Sequence, residues 1–406
     1  MKILHVTPHL GGGVGKAHAA IAGQLPTTIE QTFVLLEAPR DRRHADAIEA
    51  TGAPVIIADN FGHVARLARA ADLVQFELWN HPRLFECLAR CDFPAMRTVF
   101  WSHISGLFKP VIPPGLIEAA GRFVMTSEVS WSIPTVAALR KTAPQKFAVI
   151  NSGFGFAEVR PKPAESGSIA YLGTVDFVKM HPDFFDVVDR LAGDAIEVCV
   201  WGTADPEVMA RALRMRHPER IHFRGQTAEP ARALAGASIF FYPLQRDHYG
   251  TAENALVEAM SSGLVPVVLN NPAEMAIVRD GENGFVARST DDCVSLLHRL
   301  LSSSGLRQKV SQNAISSIAQ TRTPALSAQK FESLWRTLLN EPTRRYEFQN
   351  TVGKTPADWF LATQRLPGET AQSVEKTSPH RASKGTFAHF EMTFASDESL
   401  KNCEIA

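Results

Sequence analysis

Short apolar runs alternate with longer stretches of helical periodicity along most of the chain. Residues 3–7, 32–36, 54–58, 72–76, 96–101 and 123–127 read as strands. Residues 14–25 read as the first helix, and helical patterns fill the other gaps. Alternation of this kind indicates βαβ units and a parallel sheet with helices on both faces. Right-handed crossovers make such a sheet doubly wound.

The pattern breaks and then restarts. Arg160-Pro161-Lys162-Pro163-Ala164-Glu165-Ser166-Gly167-Ser168 is rich in Pro, Ser and charge, as an interdomain linker is. Strands follow at 169–173, 196–201, 221–224, 237–242 and 265–269. The last helix covers about 328–339, with Phe331, Leu334, Trp335 and Leu338 as its apolar stripe. The expected organisation is an N-terminal Rossmann-like domain over 1–160, a second over 165–339 and an extension over 340–406. That extension is polar at 341–345 and 370–384. It carries two apolar islands, Ala357-Asp358-Trp359-Phe360-Leu361 and Phe387-Ala388-His389-Phe390, expected to dock on a domain surface.

Composition narrows the function. Of 406 residues, 45% are hydrophobic and 21% charged, and 42 basic residues balance 42 acidic ones. Nothing in that balance favours nucleic acid or an anionic membrane surface. No stretch reaches the roughly 18 apolar residues of a membrane span, which leaves room only for peripheral membrane contact. The run at 3–7 is too short for the apolar core of a secretory leader, so a cytoplasmic protein is expected. Cys87, Cys91, Cys199, Cys293 and Cys403 are odd in number and scattered, as free thiols in a reducing compartment are.

Several segments carry candidate chemistry. Gly11-Gly12-Gly13-Val14-Gly15-Lys16 directly follows the first strand. Backbone N–H groups at such a turn, with the helix N-terminus behind them, suit an anion. The P-loop spacing fails, because Leu10 stands where a glycine is needed and Ala17 where Ser or Thr is needed. The dinucleotide fingerprint also fits poorly, which weighs against an NAD-dependent enzyme. Gly12 and Gly13 either bind a ligand or simply close a tight βα turn.

The most informative segment is Tyr249-Gly250-Thr251-Ala252-Glu253-Asn254-Ala255-Leu256-Val257-Glu258-Ala259-Met260, continuing through Gly263 to Pro266-Val267-Val268. It reads as loop, helix, glycine stop and strand. Thr251 is placed to cap the helix. Free N–H groups of the first turn, at Asn254 and Ala255, suit a diphosphate. Glu258, one turn further in, offers only acceptors and so suits a ribose diol.

These residues resemble the retaining family 4 glycosyltransferases of the GT-B fold, whose C-terminal domain carries a Glu-x7-Glu motif ending in Glu-Ala-Met, a glycine and a Pro-Val-Val strand. The resemblance spans about 1–335 and is most specific over about 240–285. It implies two doubly wound α/β Rossmann-like domains facing each other across a cleft. It also implies a nucleotide-sugar donor on the C-terminal one, a carbohydrate or lipid-linked acceptor, and transfer with retention. By position it gives the ribose role to Glu258 and the phosphate role to Asn254 and Ala255.

The sequence departs from the motif in two places. Gly250 stands where the first Glu should be, eight residues before Glu258. Glu253 is the candidate substitute, approaching from a different direction. In Tyr171-Leu172-Gly173-Thr174-Val175-Asp176-Phe177-Val178-Lys179 the relatives have Gly-Arg and then a Lys. Lys179 keeps the spacing, but Thr174 replaces the Arg. Such cations neutralise the departing diphosphate. Arg224, beside Gly225, is the candidate replacement.

His103, in Trp101-Ser102-His103, matches a family histidine that faces the donor sugar, though a lone His is also a common structural residue. Ser127-Glu128 has a weaker claim of the same kind. Asn151-Ser152-Gly153-Phe154 resembles the family turn at the domain boundary, and Glu274 a family acid after the motif helix. Arg40, Arg42 and Arg43 read as a solvated loop or a headgroup contact, and Trp79-Asn80-His81-Pro82 as a possible acceptor contact. No cluster shows metal-ligand spacing, so neither a metal nor another cofactor is expected. The implied function is hexosyl transfer from a nucleotide sugar in polysaccharide or glycoconjugate assembly. The alternative is a non-catalytic sugar-nucleotide- or glycan-binding relative.

Overall fold

A computed structural model of the chain describes residues 1–153, 167–193, 196–366 and 385–403. The expected linker at 160–166, Phe154 and the polar stretch 370–384 lie outside the described residues. The chain divides into two compact units. The first comprises Met1–Gly153, Tyr249–Ala252 and Pro324–Ala406, and the second Phe154–His248 and Glu253–Thr323.

The first unit is built on a seven-stranded sheet: β1 (Lys2–Thr7), β2 (Glu30–Leu35), β3 (Val55–Ile57), β4 (Leu73–Leu78), β5 (Thr98–Ser102), β6 (Arg122–Met125) and β7 (Phe147–Val149). The order is β3-β2-β1-β4-β5-β6-β7, and each pair is parallel. The central strands are buried on both faces, which is why they read as mainly apolar runs, with Gln75 and Glu77 set into β4. The direction of winding reverses between β1 and β4. β7 was not anticipated.

The second unit holds a six-stranded parallel sheet: β8 (Ile169–Leu172), β9 (Val198–Trp201), β10 (Ile221–Gly225), β11 (Ile239–Tyr242), β12 (Val265–Leu269) and β13 (Phe285–Ala287). Its order is β10-β9-β8-β11-β12-β13, with the reversal between β8 and β11. The expected α/β class with two Rossmann-like sheets is therefore present. In open sheets of this kind, ligands bind beyond the carboxyl ends of the strands where the winding reverses.

Three expectations are corrected. The first helix is Gly12–Ala22, starting and ending earlier than 14–25. The last helix of the expected second domain is Pro324–Leu339, and it belongs to the first unit. Its stripe explains this placement: Phe331 packs on Trp101 at 4.8 Å between ring centroids, and the Trp335 indole N–H donates to Gln75 Oε1 at 3.0 Å.

The region after 340 is also more than a docked extension in its described parts. Phe348, Val352, Trp359, Phe360, Phe387, Phe390 and Leu400 are buried in one cluster with Phe76, Phe85 and Phe100. Thr355 and Asp358 form a reciprocal capping box at the helix Pro356–Ala362. Among the described residues no helix is long and apolar enough to cross a membrane.

Trp359 is fully buried and its indole N–H donates to Gly353 O at 2.9 Å. Trp359→Ala should therefore cost about 3–5 kcal/mol in urea unfolding, as large-to-small core changes do. A loss under about 1 kcal/mol would mean that the island is only laid on the surface.

Candidate functional site

In the second unit the site is assembled where the winding reverses. β8 ends at Leu172 and turns through Gly173, whose φ of 154° disfavours a side chain. The Tyr171 hydroxyl donates to Thr174 O at 2.7 Å, which fixes the turn. Asp176 then accepts from the backbone N–H groups of Val178 (3.1 Å) and Lys179 (3.0 Å). This local turn aims Lys179 back toward β11. Its Nζ lies 3.0 Å from Glu253 Oε2 and 5.7 Å from the centroid of the Tyr242 ring.

Glu253 sits immediately before the helix Asn254–Ser261 with φ 37° and ψ 55°. A left-handed glutamate is costly and persists only when its surroundings hold it. Here they do. The Tyr242 hydroxyl donates to Glu253 Oε2 at 2.9 Å, Lys179 pairs with the same oxygen, and His248 Nδ1 stands 3.8 Å from Oε1. His248 Nε2 in turn lies 3.2 Å from Glu274 Oε1. Burial would raise the Glu253 carboxyl, but the Lys179 ammonium, His248 and the two hydrogen bonds outweigh it and hold Glu253 below its ordinary range. Glu274 goes the other way, raised by burial against the opposing bond to His248.

One site expectation is corrected here. Thr251 does not cap the helix; Glu253 holds the capping position, and no side chain caps the first turn. Thr251 is buried in the first unit, where the Thr126 hydroxyl donates to it at 3.3 Å. The Glu253 side chain is wholly buried and paired with Lys179 and Tyr242. Asn254 and Ala255 remain partly exposed at the helix start, and Glu258 is buried one turn inside. Gly263 ends the helix at φ 85°, as the sequence suggested.

Arg224 and Gly225 are exposed at the end of the edge strand β10. Two strand spacings separate β10 from β8 in the sheet order, about 10 Å. Tyr242 and His248 were missed in the sequence. The signal was present in part, since Tyr242 is a polar-tipped residue ending a buried strand.

The first unit has its own polar centre. His103 follows β5, and its Nε2 lies 2.9 Å from Glu77 Oε2. His18 Nε2 stands 3.1 Å from the same oxygen, Gln75 Nε2 donates to Oε1 at 3.0 Å, and His5 Nδ1 lies 3.5 Å away. Burial acts to raise Glu77, but the surrounding histidines hold it well below its ordinary value. Burial pushes His5 down to about 4 and lowers His103, against the pull of Glu77. A glutamate inside the buried strand Leu73–Leu78 was the overlooked sequence signal.

Gly12 and Gly13 are exposed at the start of their helix. Gly15 is there for close packing, because a Cβ would fall 1.8 Å from Leu10 O.

Sequence spacing showed no metal ligands, yet the fold gathers two trios, His5/His18/Glu77 and His9/Glu37/His81, each with donor atoms within 4.8 Å of one another. Their members come from separate strands and loops, which spacing along the chain does not reveal. In the first trio the carboxylate already receives His18, His103 and Gln75.

Residues 156–317 match the family model described as glycosyl transferases group 1. No curated protein matches the sequence. Among solved structures, HepE from Anabaena in complex with UDP and glucose aligns with a TM-score of 0.67 at 16% identity, over 83% of this chain and 100% of HepE. A glycosyltransferase from Rickettsia africae aligns with a TM-score of 0.66 at 12% identity, over 84% and 99%. A variant of TarM from S. aureus, in complex with fondaparinux, α-GlcNAc-glycerol and UDP, aligns with a TM-score of 0.66 at 8% identity, over 84% and 100%. At these identities the likeness establishes the fold, which is GT-B. The matched segment contains Lys179, Tyr242, Glu253, Glu258 and Glu274.

The histidines give the pH dependence a sign. A His5 that stays neutral down to about 4 binds fewer protons folded than unfolded, where its value is near 6.5. Its contribution to stability is complete above pH 6.5 and is lost as the pH falls toward 4, by about 2 kcal/mol at pH 5. His5→Phe, which keeps the stacking on Phe33, should remove that much of the stability difference between pH 7 and pH 5 in urea titrations. An unchanged difference would show that His5 is not held neutral.

Proposed function

We propose that the protein is a glycosyltransferase that moves a sugar from a nucleoside-diphosphate sugar to an acceptor hydroxyl. The observation that carries this reading is the pairing of Lys179 with Glu253 directly before an uncapped helix that buries Glu258 one turn inside. Amide N–H groups at Asn254 and Ala255, with roughly half a positive charge from the helix, would receive the diphosphate. Glu258 would accept hydrogen bonds from the two ribose hydroxyls. Lys179 would meet the charge that grows on the diphosphate as the glycosidic bond breaks. Gly173 and Thr174 form the neighbouring turn, where the absence of a side chain at 173 permits close approach.

The finer points belong to the same proposal. Transfer is proposed to retain configuration, with the departing diphosphate helping to deprotonate the acceptor, and to need no metal. The sugar is a hexose, and the product a polysaccharide or glycoconjugate made in the cytoplasm. His103 has Nε2 committed to Glu77, so Nδ1 is the nitrogen it would offer to a sugar hydroxyl. HepE and TarM were each solved with UDP, which makes UDP the first nucleotide to try.

A second reading, a non-catalytic sugar-nucleotide-binding relative, is favoured by Gly250 and Thr174 in place of a Glu and an Arg. Calorimetry and turnover separate the two. Glu258→Ala should weaken binding of UDP, or of whichever of UDP, GDP and ADP binds, by about 1–3 kcal/mol. An unchanged dissociation constant would remove Glu258 from the ribose role. Lys179→Ala should lower kcat more than donor affinity. Nucleotide binding without hydrolysis or transfer of any cognate donor sugar would select the second reading.

A further inference from the structure

Three loops and a distant helix meet beyond the carboxyl ends of the first sheet, where its winding reverses between β1 and β4. His9 follows β1, Glu37 follows β2, and Trp79, Asn80 and His81 follow β4. His81 Nε2 lies 3.3 Å from Glu37 Oε1, and His9 Nε2 lies 3.9 Å from it. His389, from the helix Phe387–Thr393, stands edge-on to His81 at 4.6 Å between centroids. The Trp79 indole is 4.7 Å from the His9 ring and 5.0 Å from that of His81.

The hydrogen positions on these rings follow from the backbone. Gly11 N–H donates to His9 Nδ1 at 2.9 Å, Arg83 N–H to His81 Nδ1 at 3.2 Å, and Gly385 N–H to His389 Nδ1 at 3.2 Å. An Nδ1 that accepts carries no hydrogen, so each neutral ring has its hydrogen on Nε2. A metal bound at Nε2 would need that hydrogen on Nδ1, facing an amide donor. The trio His9/Glu37/His81 therefore has metal-like spacing but the wrong tautomers.

A second proton is equally unwelcome. Burial, then His81, depress both His9 and His389 to about 4, with Arg40 adding to it against Glu37. Burial raises Glu37, but His81 outweighs it and keeps the carboxyl ionised. What remains at neutral pH is one half-exposed carboxylate, with the uncharged Nε2–H donors of His9 and His389, an indole and the exposed Arg40 nearby. His81 already serves Glu37, while His9 Nε2–H stands beyond hydrogen-bond distance of it. The adjoining surface is concave: Leu36 and Arg83 line a hollow of about 250 Å³ with Asn60 and Glu86.

We infer that this cluster is a carbohydrate subsite that takes two neighbouring hydroxyls of a neutral pyranose, with Glu37 accepting from them, His9 Nε2–H donating to one, and Trp79 covering the apolar face of the ring. A carboxylate suits a diol, and neutral donors suit hydroxyl oxygens where a cation would select anions. The partly exposed indole supplies apolar area with little conformational cost. As an acceptor subsite it rests on the transferase reading; as a binding site it does not.

The test is saturation-transfer NMR of the full chain with methyl α-D-glucoside, methyl α-D-galactoside and methyl α-D-mannoside at millimolar concentration, without nucleotide. At least one should bind. Trp79→Ala and Glu37→Gln should each weaken it at least tenfold while UDP affinity stays as in the wild type. Glu37 is half exposed, so Glu37→Gln reports even if Trp79→Ala fails to fold. UDP binding with no glycoside bound, or glycoside binding indifferent to Glu37→Gln, overturns the inference and leaves the transferase reading standing. Glycoside binding that depends on Glu37, with no nucleotide bound, supports the subsite and sinks the transferase. Stoichiometric Zn²⁺ binding abolished by His81→Gln would overturn it in favour of a metal centre.

Discussion

A buried carboxylate must be paired, and the second unit is organised around one that is. Glu253 stands at the capping position of the helix Asn254–Ser261 in a backbone conformation that L-residues avoid. Leaving its charge unpaired would cost several kcal/mol. Tyr242 brings the end of β11 to it, and Lys179 brings the turn after β8. The carboxylate thus locks together the two strands between which the winding reverses and the start of the helix that follows. Because the Glu253 side chain turns inward, it does not cap the N–H groups of that helix's first turn.

The first unit solves the same problem with histidines. Glu77 lies in β4, and donors reach it from β1, from the helix after the glycine turn and from the loop after β5. Gln75 ties the carboxylate to Trp335, so the helix Pro324–Leu339 is keyed into the same network. This accounts for that helix packing with a sheet whose strands all lie far earlier in the chain. Sheets whose strands are buried on both faces have no room for polar side chains unless such a network satisfies them.

What was legible in the sequence follows from range. The strands were legible because parallel, doubly covered strands must be apolar along their length, and β12 is found at the expected residues 265–269. The motif helix was legible because Gly263 stops it. The assignment of Thr251 as its cap failed because a left-handed glutamate has no sequence signature. The stripe Phe331, Trp335 and Leu338 announced a buried face but not the sheet it would meet. Glu77, His5 and His18 were hidden for the same reason, since chemistry assembled from separate strands leaves only isolated polar residues in apolar runs.

Charge decides what the donor site would have to do. The relatives place an Arg where this chain has Thr174, and the remaining cation, Lys179, is already balanced at 3.0 Å by Glu253. With Glu253 held below its ordinary value, that balance persists at neutral pH. In the proposed donor site the pair would then offer a diphosphate a directed N–H donor with little net charge. Neutralisation would fall instead on the helix N-terminus at Asn254 and Ala255, whose partial charge acts over only the first turn. A diphosphate bound in this way would sit close against the backbone, where Gly173 lacks a side chain. Its affinity would depend more on the placement of amides than on the count of cations.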